Sequence, residues 1–429
     1  MSQTNLKNVL KLEIDALSYG PYGIGRVDGK AVMVPHTAPG DKVEARIMES
    51  KERYEIGELV RILDPSPQRQ TPPCPYVGIC GGCSWQHLRY DAQLQAKQKN
   101  IEDSLHRIGK LADFDVRPII PSAAEYHYRR RIRLQVGADN RLGFYGASSH
   151  QLVEIETCLI ADERLNGVLE ILRRWSRAIN TTIEHLELAT GDEPGQIVAV
   201  AKAAGSFVPR DQTACANLVG ANGAVHGLVV VGRDWRRVWG EPRISVKLQD
   251  GVSLAVDADV FTQVNPAGNR RMLEELLAAA GFRKTDRVLE LYCGAGNFTL
   301  PVARQSKEVI AVEGHRPAIA NGKLNAQRNG LGNIRWISAA VPKALAELRK
   351  RREKFSTIIL DPPRTGAKGM ESDLAALGAE MILYVSCNPA TLARDLAAIV
   401  KHGYKLRRVQ PIDLFPHTFH VEALAILER

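Results

Sequence analysis

Length, composition and charge limit what kind of protein this chain can be. It has 429 residues, 45% of them hydrophobic and 24% charged, which is typical of a globular protein with two or three domains. The formal net charge of +9 favours a polyanionic partner, and no apolar run is long enough to cross a bilayer, which excludes an integral membrane protein.

The N-terminal region predicts a cytoplasmic protein that begins with a small barrel. Residues 1–10 are polar and lack the apolar core of a signal peptide, so we expect a cytoplasmic chain with reduced thiols. Short alternating strands, separated by Gly and Pro turns, are predicted at 9–14, 31–35, 42–47 and 57–63. This spacing predicts an antiparallel barrel within residues 1–66.

Residues 67–258 are predicted to form a mixed α/β central domain. Apolar periodicity predicts helices over 88–108 and 162–179, and strands over 131–136, 184–188, 197–201 and 227–232. The stretch 126–133 reads Tyr-His-Tyr-Arg-Arg-Arg-Ile-Arg and interleaves aromatic and basic side chains. It is either a surface that stacks on RNA bases or a solvated basic strand, and both interpretations stay open.

Four cysteines of the central domain have the spacing of a metal site. Cys74, Cys80 and Cys83 form a C-x5-C-x2-C motif, and Cys158 lies downstream. Four thiolates suit either a structural zinc ion or an iron–sulfur cubane. Zinc sites more often contain two C-x-x-C pairs, so the uneven three-plus-one spacing favours a 4Fe–4S cluster.

Residues 259–429 alternate between strands and helices. Strands are predicted at 287–291, 308–313, 357–360 and 381–385, with helices at 272–280, 318–329 and 374–379 between them. This alternation predicts a Rossmann-like parallel α/β sheet with crossover helices.

A glycine-rich loop follows the first of these strands and indicates a nucleoside-binding site. Residues 292–298 read Tyr-Cys-Gly-Ala-Gly-Asn-Phe, and Glu313 ends the next strand, where a carboxylate can accept hydrogen bonds from a ribose diol. The third glycine of the dinucleotide motif is replaced by Thr299. Without a pyrophosphate to bind, that glycine is unnecessary, which favours S-adenosylmethionine over NAD.

Three further side chains suggest the reaction. Asp361 ends one strand, Cys387 ends the following strand, and Glu422 begins the C-terminal apolar strand. A thiolate that adds to carbon 6 of uracil makes carbon 5 nucleophilic enough to accept a methyl group. A base must then remove the proton from carbon 5, so Cys387 is the predicted nucleophile and Glu422 the predicted base.

At this point the sequence resembles the TRAM-domain, iron–sulfur RNA uracil-5-methyltransferases, whose best-known members act on 23S ribosomal RNA. The similarity covers nearly the whole chain. The motifs that carry it are at 261–265 (Phe-Thr-Gln-Val-Asn), 292–298, 361–364 (Asp-Pro-Pro-Arg), 386–389 (Ser-Cys-Asn-Pro) and 420–422 (His-Val-Glu). The resemblance implies an OB-like TRAM barrel that binds RNA, a class I methyltransferase domain at 259–429, and a 4Fe–4S cluster.

The resemblance also implies roles for individual residues. The implied contacts with S-adenosylmethionine are Gln263, Tyr292, Asn297, Glu313 and Asp361. The implied nucleophile and proton acceptor are Cys387 and Glu422. The chain departs from the family at 338–340, Ser-Ala-Ala, where such enzymes often place a polar residue beside the adenine.

Several alternatives remain beside 5-methyluridine formation in 23S rRNA. The target could be a uridine in the tRNA T-loop, or the protein could be a non-catalytic iron–sulfur RNA-binding protein. A NAD-dependent oxidoreductase would leave Cys387 and Glu422 unexplained, and a 5-methylcytosine enzyme would need a cysteine beside Asp361-Pro362. No protein partner is evident, and a monomer is expected.

Overall fold

The N-terminal strands close into a barrel. The computed structural model describes residues 9–137, 140–220, 223–249 and 251–429. Five strands pair in the order β1-β2-β3-β5-β4: β1 (Val9–Leu17), β2 (Tyr22–Val27), β3 (Lys30–Pro35), β4 (Lys42–Ser50) and β5 (Tyr54–Asp64). Alternate side chains, such as Ile14, Val32 and Val43, fill the interior. The sequence did not predict β2, because its Gly residues weaken the apolar alternation.

The central region begins with a long helix and continues as a sheet. Helix α1 (Tyr90–Arg107) and the short strand β6 (Asp115–Val116) precede a seven-stranded sheet of order β13-β12-β11-β10-β7-β8-β9. Its elements are β7 (Arg131–Val136), β8 (Leu142–Tyr145), β9 (Leu152–Glu154), α2 (Glu163–Ala178), β10 (Ile183–Thr190), β11 (Ile197–Ala203), α3 (Gln212–Val219), β12 (Gly227–Val231) and β13 (Arg236–Gly240). Helix α2 begins at its N-cap Asp162, whose side chain accepts a hydrogen bond from the Arg164 N–H.

The C-terminal region is a doubly wound sheet with helices on both faces. The hairpin β14 (Arg243–Lys247) and β15 (Ser253–Asp257) precedes it. The following elements are α4 (Pro266–Ala280), β16 (Arg287–Leu291), α5 (Thr299–Ala303), β17 (Glu308–Glu313), α6 (Arg316–Arg328), β18 (Ile334–Ser338), α7 (Val341–Lys350), β19 (Thr357–Leu360), α8 (Glu371–Ala376), β20 (Met381–Ser386), α9 (Pro389–Val400), β21 (Lys405–Ile412) and β22 (Glu422–Glu428).

The strand order of this sheet determines where a ligand can bind. The order is β18-β17-β16-β19-β20-β22-β21-β6, with β16 to β20 parallel and β22 antiparallel to β20. The chain therefore reverses its winding direction between β16 and β19. Loops diverge at such a switch point and leave a crevice at the carboxyl ends of the strands.

The predicted elements agree with this sheet, with differences that have local causes. Strands 287–291, 308–313 and 357–360 are confirmed at their predicted bounds because they are continuous apolar runs buried on both faces. Helix α4 begins at Pro266, six residues before the predicted start, because Asn265 caps it by accepting from the Gly268 N–H. Strand β6 from the predicted central domain extends the C-terminal sheet, and Val256 of β15 packs with Met272 of α4. The boundaries at 66 and 258 stay predictions.

The barrel rests on the rest of the chain through a small apolar cluster. Leu17 and Ala38 of the barrel pack with Trp85 and Leu88, which precede α1, and with Phe419 from the loop before β22. The Asp41 carboxylate, fully buried, binds the Arg69 guanidinium at 2.6 Å. In the described ranges, none of the helices combines the length and apolarity that a membrane span requires.

Candidate active site

The glycine-rich loop at the end of β16 lies where the winding direction of the sheet reverses, and it requires glycine at two positions. Gly294 and Gly296 have φ values of +54° and +100°, in the left-handed region. A Cβ atom on Gly296 would lie 2.4 Å from Leu300 Cδ1. The loop therefore keeps the backbone open to a ligand at the edge of the sheet.

One cavity beside this loop collects most of the predicted cofactor residues. Gln263, Tyr292, Asn297 and Asp361 line a space of about 50 Å³ together with apolar residues of β14 and β15. Glu313 does not line it, but its carboxylate accepts hydrogen bonds from the N–H groups of Gly294 at 3.1 Å and His315 at 2.7 Å. Four of the five residues thus surround one space, and the fifth holds the loop that borders it.

The polar groups of the cavity are held in place, and some lack a partner. The side-chain amides of Asn297 and Asn269 form a reciprocal pair at 2.8 and 2.9 Å. The Thr262 hydroxyl is buried without a hydrogen-bond partner among the described residues. Burial raises the pKa of Asp361 to about 7. A ligand with hydrogen-bonding groups would satisfy polar atoms that the protein alone leaves unpaired.

Glu290 is a buried acid that the sequence interpretation missed. It lies within β16, and burial raises its pKa to about 8, with smaller contributions from Asp361 and Glu313. A charged residue inside an apolar strand was the available signal, since such residues are seldom fully buried without a function or a partner. At 338–340, where the family pattern is absent, Ser338 ends β18 and is exposed.

Cys387 and Glu422 come together at the end of two paired strands. The last pair between β20 and β22 joins Ser386 to Ala423, so Cys387 and Glu422 stand one position beyond it on adjacent strands. Burial, together with the Glu422 charge, raises the pKa of the Cys387 thiol to about 11. Burial, together with the Asp361 charge, holds the pKa of Glu422 well above its ordinary value. The two predicted catalytic groups are therefore neighbours, and their surroundings favour the protonated form of each.

Arg364 is the cation that opposes these shifts. It follows Asp361-Pro362-Pro363 on the next loop, and its charge lowers the pKa of both Cys387 and Glu422. Its Nη2 atom lies 3.4 Å from Nε2 of His420. Burial lowers the pKa of His420 to about 4, so the imidazole is neutral at pH 7 and adds no second charge.

The loop from Asp413 to Val421, which leads into Glu422, is anchored by helix α1. Lys97 is fully buried, and its ammonium donates to the Asp413 carboxylate at 2.7 Å and to the Phe415 carbonyl at 2.9 Å. The Gln93 side chain accepts from the His417 N–H at 2.8 Å. A buried charge pair persists only with such complete hydrogen bonding, so the loop is held in one arrangement.

The four predicted metal ligands line a different cavity. Cys74, Cys80, Cys83 and Cys158 border a space of about 200 Å³ in the central region. Burial, with smaller contributions from the charges of the other three cysteines, raises the pKa of Cys83 to about 12. Over the ranges that the structure describes, no group of three or more His, Cys, Asp or Glu side chains is placed to hold a metal ion. The iron–sulfur prediction is therefore not confirmed by the structure.

The basic stretch at 126–133 is largely engaged in internal contacts. Arg130 is buried against Asp192, and the Arg131 guanidinium donates to the carbonyls of Ala258 and Val260 at 3.0 and 2.9 Å. Tyr128 is buried as well. Most of this stretch therefore links the central sheet to its neighbours, and neither sequence interpretation anticipated that.

Comparisons with known proteins agree with this geometry. Residues 245–429 match the family described as tRNA (Uracil-5-)-methyltransferase, and residues 5–60 match the TRAM domain. A protein of Histophilus somni named 23S rRNA (uracil(1939)-C(5))-methyltransferase RlmD is 34% identical over 436 residues, which cover all of this chain and 98% of that protein. The chain belongs to the RNA (uracil-5-)-methyltransferase family. A protein of the same name from Mannheimia succiniciproducens is 35% identical over 99% of this chain and 97% of its own length.

A solved structure confirms the fold of this methyltransferase. The tRNA (uracil-54, C5)-methyltransferase of Pyrococcus abyssi, in complex with S-adenosyl-L-homocysteine, aligns with a TM-score of 0.72 and 24% identity. The alignment covers 97% of this chain and 100% of that one. The predicted fold class, an S-adenosylmethionine-dependent methyltransferase domain with an N-terminal TRAM barrel, is therefore confirmed.

Proposed function

We propose that this methyltransferase forms 5-methyluridine in 23S ribosomal RNA, with Cys387 as the nucleophile and Glu422 as the proton acceptor. The observation that carries the proposal is the placement of these two side chains on adjacent strands, at the edge of the sheet where Asp361 borders the cofactor cavity. The excess of positive charge and the TRAM barrel support an RNA substrate.

The residues around the cavity fit S-adenosylmethionine, which supplies an electrophilic methyl group when bound. The Gly294 to Gly296 backbone would border the cofactor, and Glu313, whose carboxylate accepts from the Gly294 N–H, would accept hydrogen bonds from a ribose diol. The polar groups of the cofactor would form hydrogen bonds with Gln263, Asn297 and the unpaired Thr262 hydroxyl. Asp361, at the end of β19, would lie between the cofactor and the uracil.

The chain's own groups account for the remaining chemistry. The Cys387 thiol gives its proton to solvent, the thiolate forms a bond to carbon 6 of uracil, and the electron pair of the carbon 5–carbon 6 double bond moves toward carbon 5. After carbon 5 has gained the methyl group, Glu422 takes its proton. The electron pair of that carbon–hydrogen bond restores the double bond and expels the thiolate. The uridine must be unstacked for this attack, because a stacked base hides carbon 6.

The choice of 23S rRNA over tRNA has an experimental test. We expect the protein to transfer label from radioactive S-adenosylmethionine to undermodified 23S rRNA, and nuclease digestion to yield labelled 5-methyluridine. The names of the relatives from Histophilus somni and Mannheimia succiniciproducens support this choice. The assay should be anaerobic and include bulk tRNA from the same cells. Label in tRNA alone would mean that the protein catalyses the same reaction on tRNA and not on 23S rRNA.

We propose that the four cysteines of the central cavity bind a 4Fe–4S cluster, with no part in methyl transfer. The support is that all four cysteines line a single space, larger than one zinc ion needs, with Gly81 and Gly82 in the loop between Cys80 and Cys83. The thiols would bind as thiolates, which the positive iron atoms favour although burial alone opposes it. The cluster would hold the loop from Cys74 to Cys83 against the sheet of the central region.

Replacing Cys83 by serine is expected to remove the cluster. Anaerobically purified wild type should contain about four iron and four sulfide per chain and absorb near 400 nm, because each cubane holds that number. The variant should lose both signals. Cys215, a buried cysteine of α3, provides the control, since Cys215→Ser should keep them. Stoichiometric zinc in the wild type would contradict the cluster.

A further inference from the structure

A turn of the N-terminal barrel reaches the proposed nucleophile. Tyr19 lies between β1 and β2, and its hydroxyl donates a hydrogen bond of 2.6 Å to the backbone carbonyl of Cys387. The two residues are separated by 368 positions in the sequence. A side chain of the barrel is therefore part of the surroundings of the reaction centre.

The turn that carries Tyr19 is fixed from both sides. The Ser18 N–H and hydroxyl both donate to the Tyr22 carbonyl, at 2.9 and 3.0 Å, which closes the turn. Leu17, the preceding residue, is buried in the apolar cluster with Trp85 and Leu88. Because hydrogen bonds close the turn and Leu17 beside it is buried, Tyr19 has little freedom to move away from Cys387.

The ring of Tyr19 also contacts the loop that leads into Glu422. It meets the Phe419 ring edge to face, with centroids 5.4 Å apart and planes at 84°, and lies 6.4 Å from the His420 ring. Such edge-to-face pairs favour one orientation of the ring. The Tyr19 hydroxyl therefore points at the Cys387 carbonyl, while the ring packs against the loop that precedes Glu422.

The peptide that receives this hydrogen bond joins a strand to a helix. Cys387 follows the last residue of β20, and Asn388 caps α9 by accepting from the N–H groups of Ala390 and Thr391. The Asn388 N–H donates to the Ser386 hydroxyl at 3.2 Å. The Cys387 peptide thus joins β20 to α9, and the hydrogen bond from Tyr19 restrains its carbonyl.

We propose that Tyr19 is a positioning residue for methyl transfer, whose hydroxyl holds the Cys387 peptide so that the thiol meets carbon 6 of uracil. The inference rests on the proposed role of Cys387 as nucleophile. It makes the barrel a contributor to the chemical step as well as a surface for RNA. Burial raises the pKa of Tyr19 above its ordinary value, so the phenol stays a donor throughout the pH range of the reaction.

The test removes the hydroxyl and keeps the ring. Tyr19→Phe should lower kcat roughly tenfold, the effect of losing one hydrogen bond to a part-buried carbonyl, and should leave the KM for RNA unchanged. The rate of covalent capture by 5-fluorouridine RNA should fall by the same factor. Carbon 5 of that base still takes the methyl group, but it carries no proton to remove, so the bond to sulfur persists.

Tyr22→Phe is the matched control, because Tyr22 lies in the same barrel and its hydroxyl bonds no group in the described part of the chain. Both variants should unfold at the wild-type temperature. Capture by Tyr19→Phe at the rate of Tyr22→Phe would overturn the inference, and so would a higher KM with unchanged kcat. Cys387→Ala is assayed in parallel. If it still captures the RNA, the proposed nucleophile itself is wrong, whereas a normal Tyr19→Phe beside an inactive Cys387→Ala refutes only the role of Tyr19.

Discussion

Replacing Cys387 by alanine is expected to abolish methyl transfer, with a loss in kcat on the order of 10⁴-fold or more. Without the thiolate, carbon 5 of uracil has too little electron density to attack a methyl group. The measurement is single-turnover transfer of labelled methyl to saturating RNA. Binding of RNA and of S-adenosylmethionine should persist, because alanine fills the half-buried position without a new charge.

The control for this variant is Cys215→Ala, which removes a buried thiol from the core of the central region. It should retain kcat, because Cys215 lies on α3, whose residues do not line the cofactor cavity. A Cys387→Ala protein that still forms 5-methyluridine would show that addition to carbon 6 uses another group. A variant that also fails to bind RNA would point to a structural effect.

The pH dependence of the wild type provides an independent check on the same residue. The thiolate is the reactive form, and the pKa of the Cys387 thiol is raised to about 11. At lower pH the thiolate is the minor form, so the single-turnover rate should rise about tenfold for each pH unit between pH ~6 and ~9. A rate that is flat over this range would mean that the pKa of the Cys387 thiol is far lower in the complex with RNA than in the free protein.

Much of the fold and of the cofactor side of the site was predictable because the signals are local. The strands β16, β17 and β19 are continuous apolar runs, and a predicted site residue ends or directly follows each of them: Tyr292, Glu313 and Asp361. In a parallel sheet all such ends meet at one edge, so Glu313 and Asp361 could be brought together without coordinates. The register of β20 against β22 could not be predicted, yet it is what makes Cys387 and Glu422 neighbours.

What the sequence could not predict depends on contacts between distant segments. The Tyr19 bond to Cys387 joins the barrel to the last domain, and no periodicity or motif marks it. Lys97 belongs to the helix predicted over 88–108, and nothing in that pattern indicates that it is buried against Asp413. The arginines at 130 and 131 were predicted to belong to either an RNA-stacking surface or a solvated strand, and they make internal ion pairs. In each case the partner is far away in the chain, and charge alone does not reveal it.

Replacing Glu422 by glutamine is expected to stop turnover after methyl transfer, so that enzyme and RNA accumulate as a covalent complex. General-base removal contributes about 10²–10⁴-fold, and without it the proton on carbon 5 leaves slowly and the bond to Cys387 persists. The complex would be measured as labelled RNA that migrates with the protein on a denaturing gel. One labelled methyl group per chain should be bound.

Glutamine is a suitable replacement because of the state of Glu422 in the free protein. Burial and the Asp361 charge raise the pKa of this carboxyl well above its ordinary value, which favours the neutral form of the side chain in the free protein. An amide of the same shape should therefore leave the stability of the fold nearly unchanged. The control is Glu428→Gln at the exposed end of the same strand, where the carboxylate pairs with Arg407. That variant should turn over normally. Normal turnover by Glu422→Gln would assign the base to another group, with Asp361 the nearest candidate, while failure to form any adduct would place Glu422 before the methyl transfer step.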